Sequence, residues 1–177
     1  MICPIYTMKA DNKDFTSENT ELEQLDAIGR VAWAWDRFGE DLVVSTSFGL
    51  QSAVMLHLVS KVNKEIPIIF VDTGYLFPET YQYAETLCEK LGIRSKTFSA
   101  GLSQTYQEIR FGKLWEQGAE GMERYNLMNK VEPMQRALNE LNAKGWLSGL
   151  RRGQSESRAD RTYVEAQNGT VKIYPIL

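Results

Sequence analysis

With 177 residues, 43% of them apolar, the chain can bury one sizeable core, and its length favours a single domain. A formal charge of −3 and a pI near 5.3 exclude a general nucleic-acid binder held by phosphate neutralisation, so any anion site has to be local. No apolar run is long enough to span a bilayer, and residues 1–10 lack a signal peptide's basic start and apolar stretch. The expectation is a cytoplasmic protein with no membrane partner. Cys3 and Cys88 are far apart and form neither a CxxC pair nor a disulfide framework, so a zinc or iron–sulfur centre has no support in the spacing.

Residues 1–20 are polar and acidic and are expected to form an N-terminal arm, leaving residues 21–177 as the domain. From 21 to 38 the set Leu22, Leu25, Ile28, Val31, Ala32 and Trp35 recurs at threes and fours, which predicts an amphipathic helix stopped at Gly39. Residues 41–47 predict a buried strand, and 50–62 a helix apolar on most faces and so covered on both sides. A second unit follows, with a strand at 66–71, a turn at Asp72-Thr73-Gly74, and a helix from Pro78 to Leu91 capped by Gly92. A third strand is predicted at 94–98.

Beyond Gly101 the pattern loosens. A polar helix reaches about Arg110, a glycine-containing stretch runs to Tyr125, and a helix is predicted at 132–141 with Pro133 in its first turn. A short strand at 146–150 leads into "RRGQSESRADR", and a hairpin at 162–166 and 171–174 flanks Asn168-Gly169. Strands alternating with helices imply a single α/β domain, a mostly parallel sheet with right-handed crossovers and helices on both faces.

Ligands of such sheets bind beyond the carboxyl ends of the strands. That rule collects Ser45, Thr46, Ser47, Phe48 and Gly49, the turn Asp72-Thr73-Gly74, and the loop after Leu150 on one rim. The hydroxyls of the first turn and the following helix N-terminus suit a phosphate, although no lysine closes the turn as in GxxxxGK[ST]. The alternative is that these serines merely cap the helix. Asp72-Thr73-Gly74 is read either as a contact to a ribose or nucleotide or as a plain turn. Arg151, Arg152, Arg158 and Arg161, interleaved with Gln154, Ser155 and Ser157, have the make-up of a phosphate or sulfate clamp; the alternative is a solvated loop paired with Glu156 and Asp160. Lys130 could add a cation. His57 reads as a packed core histidine and Cys88 as buried and inert.

Taken together, "STSFGLQSAVMLHLV", "IIFVDTGYLFPETYQYAETL", "YNLMNKVEPMQRAL" and "GLRRGQSESRA" closely resemble the phosphoadenosine phosphosulfate reductases, relatives of the PP-loop ATP pyrophosphatases, from about Leu42 to the last residue. The resemblance implies an adenine nucleotide alpha hydrolase-like, Rossmann-like PP-loop fold. It implies as ligands 3'-phosphoadenylyl sulfate (PAPS) and adenosine 3',5'-bisphosphate, as reductant thioredoxin or glutaredoxin, and, as is frequent among relatives, a homodimer. In the parent pattern SGGxDS the turn takes pyrophosphate from ATP; the form carrying Ser45, Phe48, Gly49 and Gln51 is similar to the reductase's, which grips without cleaving. Carried over, Ser45, Ser47, Gly49 and Gln51 lie by the phosphate end and Asp72, Thr73 and Gly74 by the adenosine. Lys130, Arg151, Gln154, Ser155 and Arg158 surround the phosphosulfate or 3'-phosphate. Relatives bearing an iron–sulfur cluster have a Cys-Cys pair where this chain has Tyr125 and Asn126, so no cluster is expected.

Two departures qualify the resemblance. The family's nucleophile is a cysteine in an ECGLH segment near the C-terminus, and no such segment occurs before Tyr174-Pro175-Ile176-Leu177. No catalytic residue is therefore assigned within the chain; the expectation is a chain cut within an element, its cysteine in a tail beyond it. Gly153 stands where many relatives are polar. The readings left open are the nucleotide-binding body of a PAPS reductase, a non-catalytic nucleotide-binding module or degenerate paralogue, and an adenylating PP-loop enzyme using ATP, the last disfavoured by Phe48 and Gln51.

Overall fold

The apolar runs around Val43 and Ile69 are each followed by a segment with helical periodicity long enough to cross back over the sheet, so they pair in parallel rather than as a hairpin. In the computed structural model, which describes residues 14–49, 51–154, 160–167 and 169–177, they form β1 (Leu42–Thr46) and β2 (Ile68–Asp72). With β3 (Ser95–Ser99), β4 (Gly145–Ser148), β5 (Val164–Gln167) and β6 (Thr170–Ile173) they build a six-stranded sheet in the order β3-β2-β1-β4-β6-β5. Val44 lies opposite Ile68, Val43 opposite Trp146, and every pairing among these strands is parallel except β5 with β6. Gly169, at φ +77°, sits in the tight turn between β5 and β6, as the Asn-Gly dipeptide predicts; Asn168 itself lies outside the described residues.

Alternation along the strands divides the core in two. Leu42 and Val44 of β1 and Ile68 and Phe70 of β2 face α2 (Ala27–Phe38), α3 (Ser52–Val62) and α4 (Pro78–Leu91), meeting Val31, Ala34, Met55, Leu56, Ala84 and Leu87. Val43, Ile69, Phe98 and Trp146 face the other way, onto Ala137 and Leu138 of α7 (Glu132–Glu140). Helices thus cover both faces, as the strand and helix alternation implies.

Four expectations are corrected. The polar arm does not extend to residue 20: α1 (Thr16–Gln24) starts where the Asp14 carboxylate accepts from the Thr16 amide and hydroxyl, and Phe15 and Leu22 are buried. Those two bonds also hold the Asp14 carboxyl below its ordinary value. The helix expected over 21–38 is two helices, because Asp26 caps α2 by accepting from the Gly29 amide at 2.7 Å and forces a break after Leu25. Helix α3 is covered on one side only, so Val54 is 54% exposed and His57 lies on the surface rather than in the core. Cys88 is half-buried, and burial pushes its thiol up, which leaves it protonated and unreactive near neutral pH.

The fifth difference bears on function. The stretch expected to be loose before residue 132 is helical: α6 (Gly118–Asn126) runs through a π-helical turn (Leu127–Val131) into α7 without a break. Pro133 has no N–H, so it cannot bond the Asn129 carbonyl four residues back, and its ring crowds that carbonyl. Widening the preceding turn relieves the conflict, and the Glu132 amide reaches five residues back to the Leu127 carbonyl. Pro133 therefore sits inside one long helical run and not at a helix start.

The N-terminal helices also clasp the last hairpin. Asn19 donates to the Val164 carbonyl and accepts from the Val164 amide, each at 3.0 Å. Arg30 bonds the Leu22 and Pro175 carbonyls and stacks on Tyr163, with its guanidinium 4.0 Å from the ring centre.

Candidate functional site

Strands β2 and β3 follow β1 to one side, while β4 joins β1 on the other, so the two crossovers leaving β1 and β4 diverge and open a crevice above their carboxyl ends. A cleft of about 770 Å³ occupies that crevice. Its wall is Ser45, Thr46, Ser47, Gly49, Gln51 and Ser52 from the β1–α3 connection, Val71, Thr73 and Leu76 from the end of β2, and Ser148, Gly149 and Leu150 from the end of β4. Lys130 and Met134 close it from the helical run above.

The β1–α3 turn bears on the capping alternative. If its serines served only to cap α3, a side-chain oxygen would accept from the first amides of the helix. Among the described residues none does: Gln51 stands at the N-cap without a side-chain capping bond, and the Thr46 hydroxyl accepts instead from the Phe48 amide at 3.0 Å. That bond holds Phe48 at φ +49°, and its ring goes inward, 2% exposed, edge-on to Phe70 at 4.9 Å between centroids. Turning Phe48 inward presents Gly49 and the α3 N-terminus to the cleft. The Ser52 hydroxyl, at the first residue of α3, is buried there and has no hydrogen-bond partner. Ser45 is fixed by Trp146, whose indole N–H donates to its Oγ at 2.7 Å, so the serine's own proton stays available to an acceptor in the cleft.

The β2 turn divides its three residues. Thr73 lines the cleft, but Asp72 is turned back: its Oδ1 accepts from the Gly74 amide at 2.8 Å and from the Tyr81 hydroxyl at 2.7 Å. Gly74 takes φ +74° to close this turn. Burial, the bond to Asp72 and its charge push the Tyr81 hydroxyl up from 10.0 to about 12. Because the folded-state value is raised, the stabilisation is fully present below the unfolded value near 10 and is lost as pH rises through 12. Thermal unfolding midpoints between about pH 8 and pH 12 are therefore expected to fall more steeply for the wild type than for Tyr81→Phe. Parallel profiles would show that Tyr81 does not couple to Asp72.

Lys130 leaves the π turn with its ammonium 5.6 Å above the Tyr125 ring, and Tyr125, Tyr75 and Trp115 stack edge-to-face around one another beside it. The arginine loop is only partly assembled at the cleft. Arg151 is half-buried and directly follows Leu150 of the wall, whereas Arg152 bends away to donate twice to the Arg161 carbonyl, at 3.0 and 2.9 Å. Arg161 in turn pairs with Glu165, and Glu156 lies outside the described residues. The backbone of Gln154 lies in a 3-10 turn (Arg152–Gln154), and Ser155 and Arg158 lie outside the described residues.

Of the predicted set, Ser45, Ser47, Gly49, Gln51, Thr73 and Lys130 meet at the cleft, while Phe48, Asp72 and Gly74 shape its rim from behind. Ser52, Ser148 and Gly149 were missed. Ser52 could have been found from its place in the first turn of the predicted helix; Ser148 and Gly149 carry no local signal and join only through the pairing of β4 with β1.

Known proteins share the sequence and the fold. A family model described as the phosphoadenosine phosphosulfate reductase domain matches residues 41–177. The chain belongs to the phosphoadenosine phosphosulfate reductase family. Among its relatives, the phosphoadenosine 5'-phosphosulfate reductases of Escherichia coli (strain SMS-3-5) and Shigella flexneri are 55% identical over 159 residues. The match takes in 90% of this family member and 65% of each of theirs, so the chain spans just under two thirds of the curated relatives it matches. Phosphoadenylyl-sulfate reductase from Candida auris, solved as a phosphate complex, superposes with a TM-score of 0.77 at 28% identity, over 96% of this chain and 81% of that one. The FMN adenylyltransferase of Candida glabrata shares the fold alone, at 13% identity and a TM-score of 0.53 over 91% of this chain and 58% of that one.

Proposed function

We propose that the chain is the nucleotide-binding body of a reductase that converts PAPS to sulfite and adenosine 3',5'-bisphosphate, with thioredoxin or glutaredoxin as the electron source. The observation that carries this reading is the uncapped start of α3, with the buried, unpartnered Ser52 hydroxyl beside it, at the switch point of the sheet. A helix start with no side-chain cap, ringed by serine hydroxyls, suits a phosphate. The naming of the relatives as phosphoadenosine 5'-phosphosulfate reductases, and the phosphate complex of the Candida auris enzyme, agree with it.

In the proposed chemistry a cysteine thiolate attacks the sulfonate sulfur, the sulfur–oxygen bond to the nucleotide breaks, and adenosine 3',5'-bisphosphate leaves. A dithiol then reduces the resulting thiosulfonate, releasing sulfite as the dithiol becomes a disulfide. The ECGLH cysteine of this step is not among the 177 residues, so the chain's own part is to bind and orient. Ser45, Ser47, Gly49 and Gln51 take the phosphate end, Thr73 meets the adenosine on the turn shaped by Asp72 and Gly74, and Lys130 with the Arg151, Arg152, Gln154, Ser155 and Arg158 loop balances the remaining negative charge. No iron–sulfur cluster belongs to this reading: Tyr125, in place of one cluster cysteine, packs against Tyr75 and Trp115, and Asn126 offers an amide where a thiolate would be needed. A homodimer and a cytoplasmic location complete it; among the described residues no helix is long and apolar enough to cross a membrane.

Calorimetric titration with adenosine 3',5'-bisphosphate and, separately, with ATP and Mg²⁺ tests the reading. Bisphosphate is expected to bind at least about tenfold tighter, ~1.4 kcal/mol. A preference for ATP would favour an adenylating enzyme instead, and binding of neither would remove the nucleotide site altogether.

A further inference from the structure

Among the described residues no carboxylate holds the exposed Lys130 in an ion pair, yet it closes the cleft from a π turn, a backbone form that is rare and concentrated at functional sites. Its neighbour in sequence explains how the turn is held. Asn129 is fully buried, and so, at 2% exposed, is Gln107 of α5 (Gln104–Phe111). The two side-chain amides pair reciprocally: Gln107 Nε2 donates to Asn129 Oδ1 at 2.9 Å, and Asn129 Nδ2 donates to Gln107 Oε1 at 3.0 Å.

Each amide spends its second proton on backbone. Gln107 donates to the Leu102 carbonyl at 2.9 Å, in the loop after β3, and Asn129 donates to the Tyr125 carbonyl at 3.2 Å, one turn back in the same helical run. All four N–H bonds are thus used, between two buried side chains, where breaking one leaves a buried amide uncompensated. The geometry is directional. A shift of the 127–131 turn by one residue toward regular α-helix would swing Asn129 away from Gln107 by roughly 100°, and would carry Lys130 off the cleft by the same rotation.

We propose that the Gln107–Asn129 amide pair is a positioning device: it locks the register of the π turn and so fixes Lys130 over the anion cleft. Neither residue touches the ligand; both act through Lys130. The inference rests on the reading of the cleft as a bisphosphate site.

The test is a double-mutant cycle on the full 177-residue chain, read by calorimetric titration with adenosine 3',5'-bisphosphate. Lys130→Gln is expected to weaken binding about tenfold, and Gln107→Met, which keeps the side chain's shape and removes its hydrogen bonds, about three- to tenfold. Combined, they are expected to do no more than Lys130→Gln alone, whereas a merely structural effect of Gln107 would multiply with it. Gln107→Glu, which keeps the acceptor and loses both donors, serves the same cycle if Gln107→Met shows no cooperative unfolding. Losses that multiply, or no loss in the Gln107 variants, overturn the device while leaving the site standing. Unchanged binding in Lys130→Gln overturns the device together with Lys130's place in the site. Absence of bisphosphate binding by the wild type refutes the reading beneath both.

Discussion

Gly49→Asp is expected to lower affinity for adenosine 3',5'-bisphosphate by about two to three orders of magnitude while leaving the unfolding midpoint unchanged or slightly raised. The argument weighs space against charge. A Cβ at Gly49 would find only the Ser47 hydroxyl, at 3.7 Å, and the backbone there is not in the left-handed region, so the fold accepts a side chain. An acidic group just before α3 also complements the positive end of that helix. The same carboxylate stands about 4–5 Å from any phosphate seated on the turn, where two like charges repel by about 3–4 kcal/mol at an effective dielectric near 20. Each ~1.4 kcal/mol is a factor of ten in affinity. Titration beside a thermal melt checks both halves: a loss below about tenfold would move the phosphate off this turn, and a lowered midpoint would mean that the substitution damages the fold instead.

Gly121→Ala is expected to destabilise the chain by about 3 kcal/mol, lowering the midpoint by about 6–12 °C. A Cβ at this position in α6 would lie 2.2 Å from the Leu114 carbonyl oxygen and 2.6 Å from Gln117 Cβ. The first obstacle is backbone, which cannot rotate aside, so α6 has to lift from the 3-10 turn (Leu114–Glu116) that carries Trp115. Helix propensity alone would favour alanine by up to about 1 kcal/mol, so the sign of the change decides the matter. A melt that rises on substitution would show that α6 and Leu114 are not in contact.

The sheet could be read from the sequence because parallel strands buried on both faces are short continuous apolar runs. Val43 and Val44, or Ile68 and Ile69, have nowhere polar to point, and the structure divides each pair between its two cores. Helix α4 was legible to the residue because Pro78 and Gly92 mark its ends by conformations that few other residues favour. Signals of the same kind misled at the other helices. The glycines before Tyr125 read as a loosened stretch and Pro133 as the start of a helix, yet Gly121 is required by a close approach and Pro133 is absorbed by a π turn. Both depend on contacts between elements, which no local pattern carries. Half of the site was visible for a similar reason: the β1 turn is contiguous, whereas Ser148 and Gly149 arrive through strand order alone. Asp72 is expected from the sequence to face the ligand, but its use inside the turn, braced by Tyr81 nine residues on, emerges only when α4 folds over β2.

The bonds between Asn19 and Val164 have a consequence for the chain's solubility. Strand β5 is the last of its sheet, and an outermost strand offers bare amides and carbonyls on which a second molecule can template itself. At Val164 the side-chain amide of Asn19 supplies one donor and one acceptor in the arrangement a neighbouring strand would use, so the ladder ends on a plug that cannot be extended. A short polar helix at the start of the chain thereby guards the sheet margin made by its far end, and molecules that open this clasp would be the first to join edge to edge.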